Sequence, residues 1–126
     1  MKTYIGTRDS QSGRPFVRVT EDAGGPGHLL NHLPCHSPDG FEWGYGGSGP
    51  ADLAIALLAD ADPSLMRRKR NALDGGAPIE SALYQAFKSQ VVARLPRDER
   101  WTLTQVQIVD WVTAYREAAE AEGGAA

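Results

Sequence analysis

The chain has 126 residues, of which 41% are hydrophobic and 23% are charged, and its formal net charge is -3. This length is usual for one domain that buries roughly two-thirds of its unfolded surface, and the composition excludes general disorder. The negative net charge argues against a protein whose whole surface binds nucleic acid, but it leaves room for a local basic patch.

The N-terminal segment predicts a β-hairpin. Residues 3–7 and 16–20 both alternate polar and bulky side chains, and Gly13 and Pro15 between them are typical of a turn. We expect a third strand around residues 41–43 to extend this hairpin. The segment in front of it, which contains several histidines, is too mixed in composition to assign beyond a short strand or an irregular connection.

A first helix is predicted after the hairpin. Pro50, with Ser48 just before it, is typical of a first helical turn, and the residues that follow are rich in helix formers. They are apolar on nearly every face, so we expect this helix to be central and buried. It should end near Asp62.

Two further helices complete the predicted fold. Apolar residues recur every four positions over residues 78–95, and Thr104 with Gln107 forms a capping-box sequence before a third helix with one apolar face. We therefore predict an α+β fold, in which an N-terminal β-hairpin or small antiparallel sheet packs against three helices. Residues 1–120 should form this single domain, and residues 121–126 should form a frayed tail.

The segment from Ser37 to Pro50, hereafter the glycine segment, is the one part of the sequence that indicates more than a scaffold. Its fourteen residues include five glycines and three aromatic residues. Glycines leave backbone N–H groups free to converge on one target, often an anion, and the positive end of the next helix dipole would lie at the same place. Gly46, Gly47 and Ser48 are the candidate donors.

We therefore predict a ligand site at the glycine segment, with aromatic rings as a wall beside the backbone amides. Its carboxylates would oppose an anion unless they bind a ribose, a base edge or a cation. A purely structural interpretation stays open, in which the glycines let the aromatic rings fold back on the first helix and Ser48 caps that helix. The predicted ligand-binding residues are Asp39, Glu42, Trp43, Tyr45, Gly46, Gly47, Ser48 and Gly49.

Standard catalytic motifs do not fit the glycine segment. Residues 44–49 match the dinucleotide-binding pattern by letter, but Lys69 and Arg70 stand where that pattern needs an acidic residue. A P-loop needs a lysine directly after Gly49, and a nucleophile elbow needs a glycine where Pro50 stands. The sequence indicates no catalytic residue and no cofactor, and it favours a non-enzymatic protein.

Residue types that bind zinc occur within nine positions at His28, His32, Cys35 and His36. No second pair completes a zinc site, and Pro34 breaks helical spacing, so we assign no metal site while the role of these residues stays open. A Cys35 nucleophile would need an orienting third group that the sequence does not supply. Surface histidines are the simpler interpretation.

A basic run follows the first helix at Arg67, Arg68, Lys69 and Arg70. Four basic residues without interleaved aromatic residues are a weak indication of nucleic-acid binding, and such runs are usually solvated. The run would complete an anion pocket if it folded back over the start of the first helix.

We expect no membrane-spanning segment and no secretion signal in this sequence. Its longest apolar stretch, residues 53–59, is far shorter than the roughly 20 residues that span a bilayer, and residues 1–5 lack the apolar region of a signal peptide. Cys35 is the only cysteine, so no intramolecular disulfide can form. We expect a cytoplasmic protein without a membrane partner.

Residues 37–54, SPDGFEWGYGGSGPADLA, resemble the signature of a family of small bacterial, archaeal and phage proteins known as domain of unknown function 6166. Residues 4–8 and 101–104 also resemble that family, so the resemblance covers nearly the whole chain. It implies no activity and no functional residues. It does imply a small accessory protein found among mobile elements.

Two functions from different classes are therefore expected. The leading one is a small binding module that recognises an anionic small molecule, a nucleotide or phosphate at the glycine segment. The alternative is a protein–protein interaction, or a host- or defence-modulating role, in which Phe41, Trp43 and Tyr45 form an aromatic patch without a small-molecule ligand. An enzyme that uses Asp39 or Glu42 as an acid or base comes third.

Overall fold

The alternating N-terminal residues form the centre of a four-stranded antiparallel sheet. The computed structural model describes residues 1–37, 39–67 and 77–124, and this part of the chain is an α+β fold, as predicted. The strands lie in the order β3-β2-β1-β4. Their bounds are β1 (Lys2–Arg8), β2 (Pro15–Glu21), β3 (His28–Leu29) and β4 (Trp101–Thr104).

The predicted hairpin is confirmed, since β1 and β2 pair along their whole length. The predicted strand at residues 41–43 is wrong, because β4 occupies the free edge of β1 instead. Phe41 and Trp43 are buried and therefore give the alternation of a strand, but the backbone turns on both sides of them at Gly40 and Gly44, with φ of 113° and 84°. The Gly44 N–H donates to Val92 O, 3.1 Å away, so it is not part of a sheet.

Three helices accompany the sheet: α1 (Ser48–Ala61), α2 (Ser81–Gln90) and α3 (Gln105–Gly124). The last of them, α3, lies against β1 and β4, and α1 packs against both α2 and α3. Nearly every residue of α1 is buried, as its all-round apolarity predicts. The capping box of α3 is confirmed: Gln107 N donates to Thr104 Oγ1 at 3.1 Å, and Thr104 N donates to Gln107 Oε1 at 2.8 Å.

The second helix is shorter than the sequence predicts. Arg67 donates from one guanidinium nitrogen to the carbonyls of Ala77 and Ile79, at 2.7 and 3.2 Å. These two carbonyls therefore bind Arg67, and α2 begins only after them. At the other end Val91 leaves the helical conformation, and one 3₁₀ turn, Val92–Arg94, follows. Tertiary contacts therefore override the apolar spacing at both ends, since the 3₁₀ turn also accepts a hydrogen bond at Val92 O from Gly44 N. None of the helices in the described ranges is long and apolar enough to cross a bilayer.

Candidate functional site

The glycine segment ends where α1 begins, at Ser48. The N-cap of α1 is Gly47, in an extended conformation and without a side-chain capping bond, so the interpretation of Ser48 as the cap is wrong. The first turn contains no acidic residue. Within the described part of the chain, the backbone N–H groups of Gly46, Gly47 and Ser48 donate to no acceptor. Because Gly46 and Ser48 are exposed, these donors are open to solvent and to a ligand.

An aromatic ring and an arginine lie beside these donors. The Tyr45 side chain is 39% exposed, and the guanidinium carbon of Arg97 lies 5.1 Å from its ring centre, a cation–π distance. A Cβ on Gly47 would lie 2.8 Å from Tyr45 Cε2. Glycine at this position therefore allows the ring to pack against the turn.

The Glu42 carboxylate is paired with an arginine, so it is not an isolated negative charge in the glycine segment. Arg8 binds it through two nitrogens, at 2.7 and 3.2 Å, and this hydrogen bonding holds the pKa of Glu42 below its usual range. The same guanidinium lies 4.9 Å from a ring centre of Trp43 and donates from Nε to Arg97 O at 2.9 Å. One arginine thus links β1 to the glycine segment and to the segment before β4.

Two of the predicted ligand residues lie in the interior. Trp43 is 0% exposed and packs edge-to-face on Trp101, with ring centres 5.3 Å apart at 87°. Gly49 is buried, and a Cβ there would lie 2.8 Å from Glu42 Cβ. These positions are explained by close packing between the glycine segment, α1 and the sheet.

Asp39 lies in a different environment from the rest of the predicted site. It is exposed and lines a cavity of about 370 Å³ together with residues of the β1–β2 turn, such as Asp9 and Arg14. None of residues 45–49 lines that cavity. The structure therefore brings Tyr45, Gly46, Gly47 and Ser48 together at the surface and places Asp39 beside another cavity.

A buried carboxylate on α1, Asp52, is the centre of a second arrangement that the sequence analysis missed. Its side chain is 0% exposed, and its two oxygens accept four hydrogen bonds of 2.8–3.2 Å. The donors are His32 Nε2 and the backbone N–H groups of Cys35, His36 and Ser37. Burial alone would raise the pKa of Asp52, but these hydrogen bonds outweigh it and hold the pKa below its usual value. Asp52 lies within an otherwise apolar stretch of a helix expected to be buried on every face, and this was the indication that could have revealed the arrangement.

The histidines and the cysteine considered as zinc ligands take part in separate contacts. His32 binds Asp52, and His36 Nε2 forms a 2.6 Å hydrogen bond with Tyr84 Oη. His28 lies exposed in the edge strand β3. In residues 1–37, 39–67 and 77–124, no group of three or more histidine, cysteine, aspartate or glutamate side chains is arranged to hold a metal ion.

A family model matches the chain over residues 4–114, from β1 into α3, and its description is a family of unknown function, DUF6166. The chain belongs to this family. The match includes the glycine segment and Asp52, which are therefore parts of the DUF6166 domain rather than additions to it. No curated protein and no solved structure matches the chain.

Fewer aromatic and basic side chains of this DUF6166 member are free to contact a partner or ligand than the sequence suggested. Phe41 and Trp43 are 8% and 0% exposed, so Tyr45 is the exposed ring among the three aromatic residues of the glycine segment. The Arg67 side chain donates to the carbonyls before α2, as described above. The remaining basic residues of the run, Arg68, Lys69 and Arg70, lie outside the described residues.

Proposed function

We propose that the chain is a non-enzymatic binding module that holds a small anion at the start of α1. The anion is a phosphate or carboxylate group, either free or part of a small molecule or nucleotide. The observation that carries the proposal is the uncapped helix start, where the N–H groups of Gly46, Gly47 and Ser48 have no acceptor within the described part of the chain. Such groups, at the positive end of a helix dipole, favour a negative charge.

The surrounding charges support an anion rather than a cation. Arg97 supplies a positive side chain beside the open donors, at Tyr45. Glu42, a carboxylate of the glycine segment, is bound bidentately by Arg8. Asp52 lies further along α1, where its charge is buried and satisfied by four donors. Because Cys35 is the only cysteine, we further infer a cytoplasmic location for the module.

A substitution at Ser48 tests the proposal without disturbing the core. Ser48→Asp places a carboxylate at the helix start, where it should stabilise α1 by about 0.3–1 kcal/mol and compete with an external anion. Titration of inorganic phosphate should shift the amide resonances of Gly46, Gly47 and Ser48 in the original protein and not in the Ser48→Asp variant. Ser48→Asn, of similar size and without charge, is the matched control and should still bind.

Arg97→Gln should weaken phosphate binding while leaving the amide donors in place. Phosphate binding that is equally strong in the Ser48→Asp variant, or absent from the original protein, would rule out the anion site. In that case the protein–protein interaction hypothesis gains, and Tyr45 is the aromatic residue through which it should be tested.

A further inference from the structure

A cavity of about 370 Å³ lies between the β1–β2 turn, the end of β3 and the beginning of the glycine segment. Its volume falls in the range of roughly 300–1,000 Å³ that is typical of small-molecule sites. Apolar side chains contribute much of its lining: Phe16, Val17, Leu29, Leu30 and Phe41. This apolar part of the lining favours a ligand with an apolar body.

Charged side chains of both signs also line this cavity: Asp9, Arg14 and Asp39. Within the described part of the chain, the Arg14 guanidinium and the Asp39 carboxylate form no hydrogen bond and no ion pair, unlike Arg8 and Glu42 nearby. Charges without partners beside an apolar surface can bind the charged groups of a ligand, with a free-energy gain larger than that of neutral hydrogen bonds.

The β1–β2 turn holds two of these charges in an ordered frame. Asp9 Oδ1 accepts from Gln11 N at 2.8 Å and from Ser12 N at 3.0 Å, and Arg14 N donates to Ser12 Oγ at 3.2 Å. The hydrogen bonds from Ser12 and Gln11 hold the pKa of Asp9 below its usual value, so this carboxylate stays charged. Gly13, with φ of 73°, supplies the left-handed conformation that closes the turn.

We propose that this cavity is a second binding site, for a small zwitterion with an apolar body, the chemical class of the apolar α-amino acids. The ammonium group pairs with Asp9 and Asp39, the carboxylate group with Arg14, and the apolar body with the floor at Phe16 and Phe41. A simple amine would leave Arg14 unpaired, and a simple acid would face two carboxylates. A zwitterion offers a group of opposite sign to each of the two charges that have no partner in the described part of the chain, Arg14 and Asp39.

Three matched probes test this assignment on the full chain. L-leucine carries both charges, 3-methylbutylamine only the ammonium group, and 4-methylpentanoate only the carboxylate, while the apolar body is the same. In titrations followed by amide resonances, leucine should shift Leu30 and Gly40, and each single-charge probe should bind about tenfold more weakly. Equal binding of the amine or the acid would overturn the zwitterion assignment, and so would the absence of any shift at millimolar leucine.

Two variants and two controls locate the binding. Arg14→Gln and Asp39→Asn should each weaken leucine binding about tenfold. Arg116→Gln and Asp110→Asn, exposed changes on α3, should leave it unchanged. Unchanged affinity in both cavity variants, with native-like spectra, would place leucine elsewhere and reject the site. The phosphate titration of the α1 start is independent, so the two sites fail or succeed separately.

Discussion

Asp52 binds residues 32–37, which lead into the glycine segment, to the central helix, and its hydrogen bonds explain why a carboxylate occurs in a buried position. Four donors surround it, and a carboxylate is the side chain that only accepts. Since an ionised carboxylate accepts, the His32 Nε2 that faces it carries the proton. The buried charge is therefore fully hydrogen-bonded, as a buried charge must be.

Asp52→Asn should destabilise the fold by about 2–3 kcal/mol, because the new NH₂ group would face N–H donors and leave some of them unpaired. Urea unfolding measures this loss, and faster hydrogen exchange at Cys35, His36 and Ser37 should accompany it. The control Asp110→Asn, on the exposed face of α3, should change stability by less than about 0.5 kcal/mol. Unchanged exchange at these three amides would show that Asp52 does not hold the segment.

The residue-level roles at the glycine segment could be predicted only in part from the sequence. The start of α1 near Pro50 follows from local composition, because helix-start and turn signals are local, whereas the predicted Ser48 cap is wrong. The roles of Gly44 and Gly49 do not follow from local composition. A Cβ at Gly44 would lie 2.8 Å from Arg97 Cβ, and one at Gly49 would lie 2.8 Å from Glu42 Cβ. Such close approaches depend on tertiary packing and cannot be seen in the local sequence. The glycine content therefore suggested a ligand site, whereas at these two positions the structure shows packing against other residues of the chain.

At the scale of elements, the pairing of strands that are adjacent in sequence was predictable, and the pairing of strands that are distant in sequence was not. The hairpin of β1 and β2 follows from two alternating runs around a turn, whereas β4 has only four residues and pairs with β1 from the other end of the chain. The register places Gly6 opposite Trp101. Here the missing side chain leaves the space that the indole fills, which no feature of the sequence near Gly6 indicates.

Gly6→Ala should destabilise the β1–β4 pair by about 1–3 kcal/mol, the usual cost of overpacking. The added Cβ would lie 2.0 Å from Trp101 Cε2, and Trp101 is buried against Trp43 and cannot swing away. The midpoint of thermal unfolding measures the effect. Gly46→Ala is the matched control: no heavy atom lies within 4 Å of its Cβ and its φ is not positive, so it should change stability little. Equal stability of the two variants would contradict this account of the β1–β4 pair.

For the whole molecule, three charged arrangements join elements that are distant in sequence. Arg8 and Glu42 link β1 to the glycine segment, Asp52 links α1 to the segment before it, and Asp60 accepts hydrogen bonds from Lys2 Nζ and Tyr4 Oη at 3.0 and 2.7 Å. The α+β class and the helices were predictable because periodicity reports burial. These links were not, because each needs two partners from separate elements.

Because two of these carboxylates have lowered pKa values in the folded state, the free energy of unfolding of the domain should depend on pH in the acid range. The folded state lowers the pKa of Glu42 and of Asp52 from their ordinary values of 4.5 and 3.8. Unfolding therefore takes up protons below these values, so the free energy of unfolding should be constant from about pH 6 to pH 8 and fall as pH decreases below about 5. Urea unfolding between pH 3 and pH 8 measures the profile. Glu42→Gln should flatten the acid part of it, because that variant has one fewer carboxylate to protonate. A free energy of unfolding that is unchanged between pH 7 and pH 3 would mean that neither carboxylate is stabilised by folding.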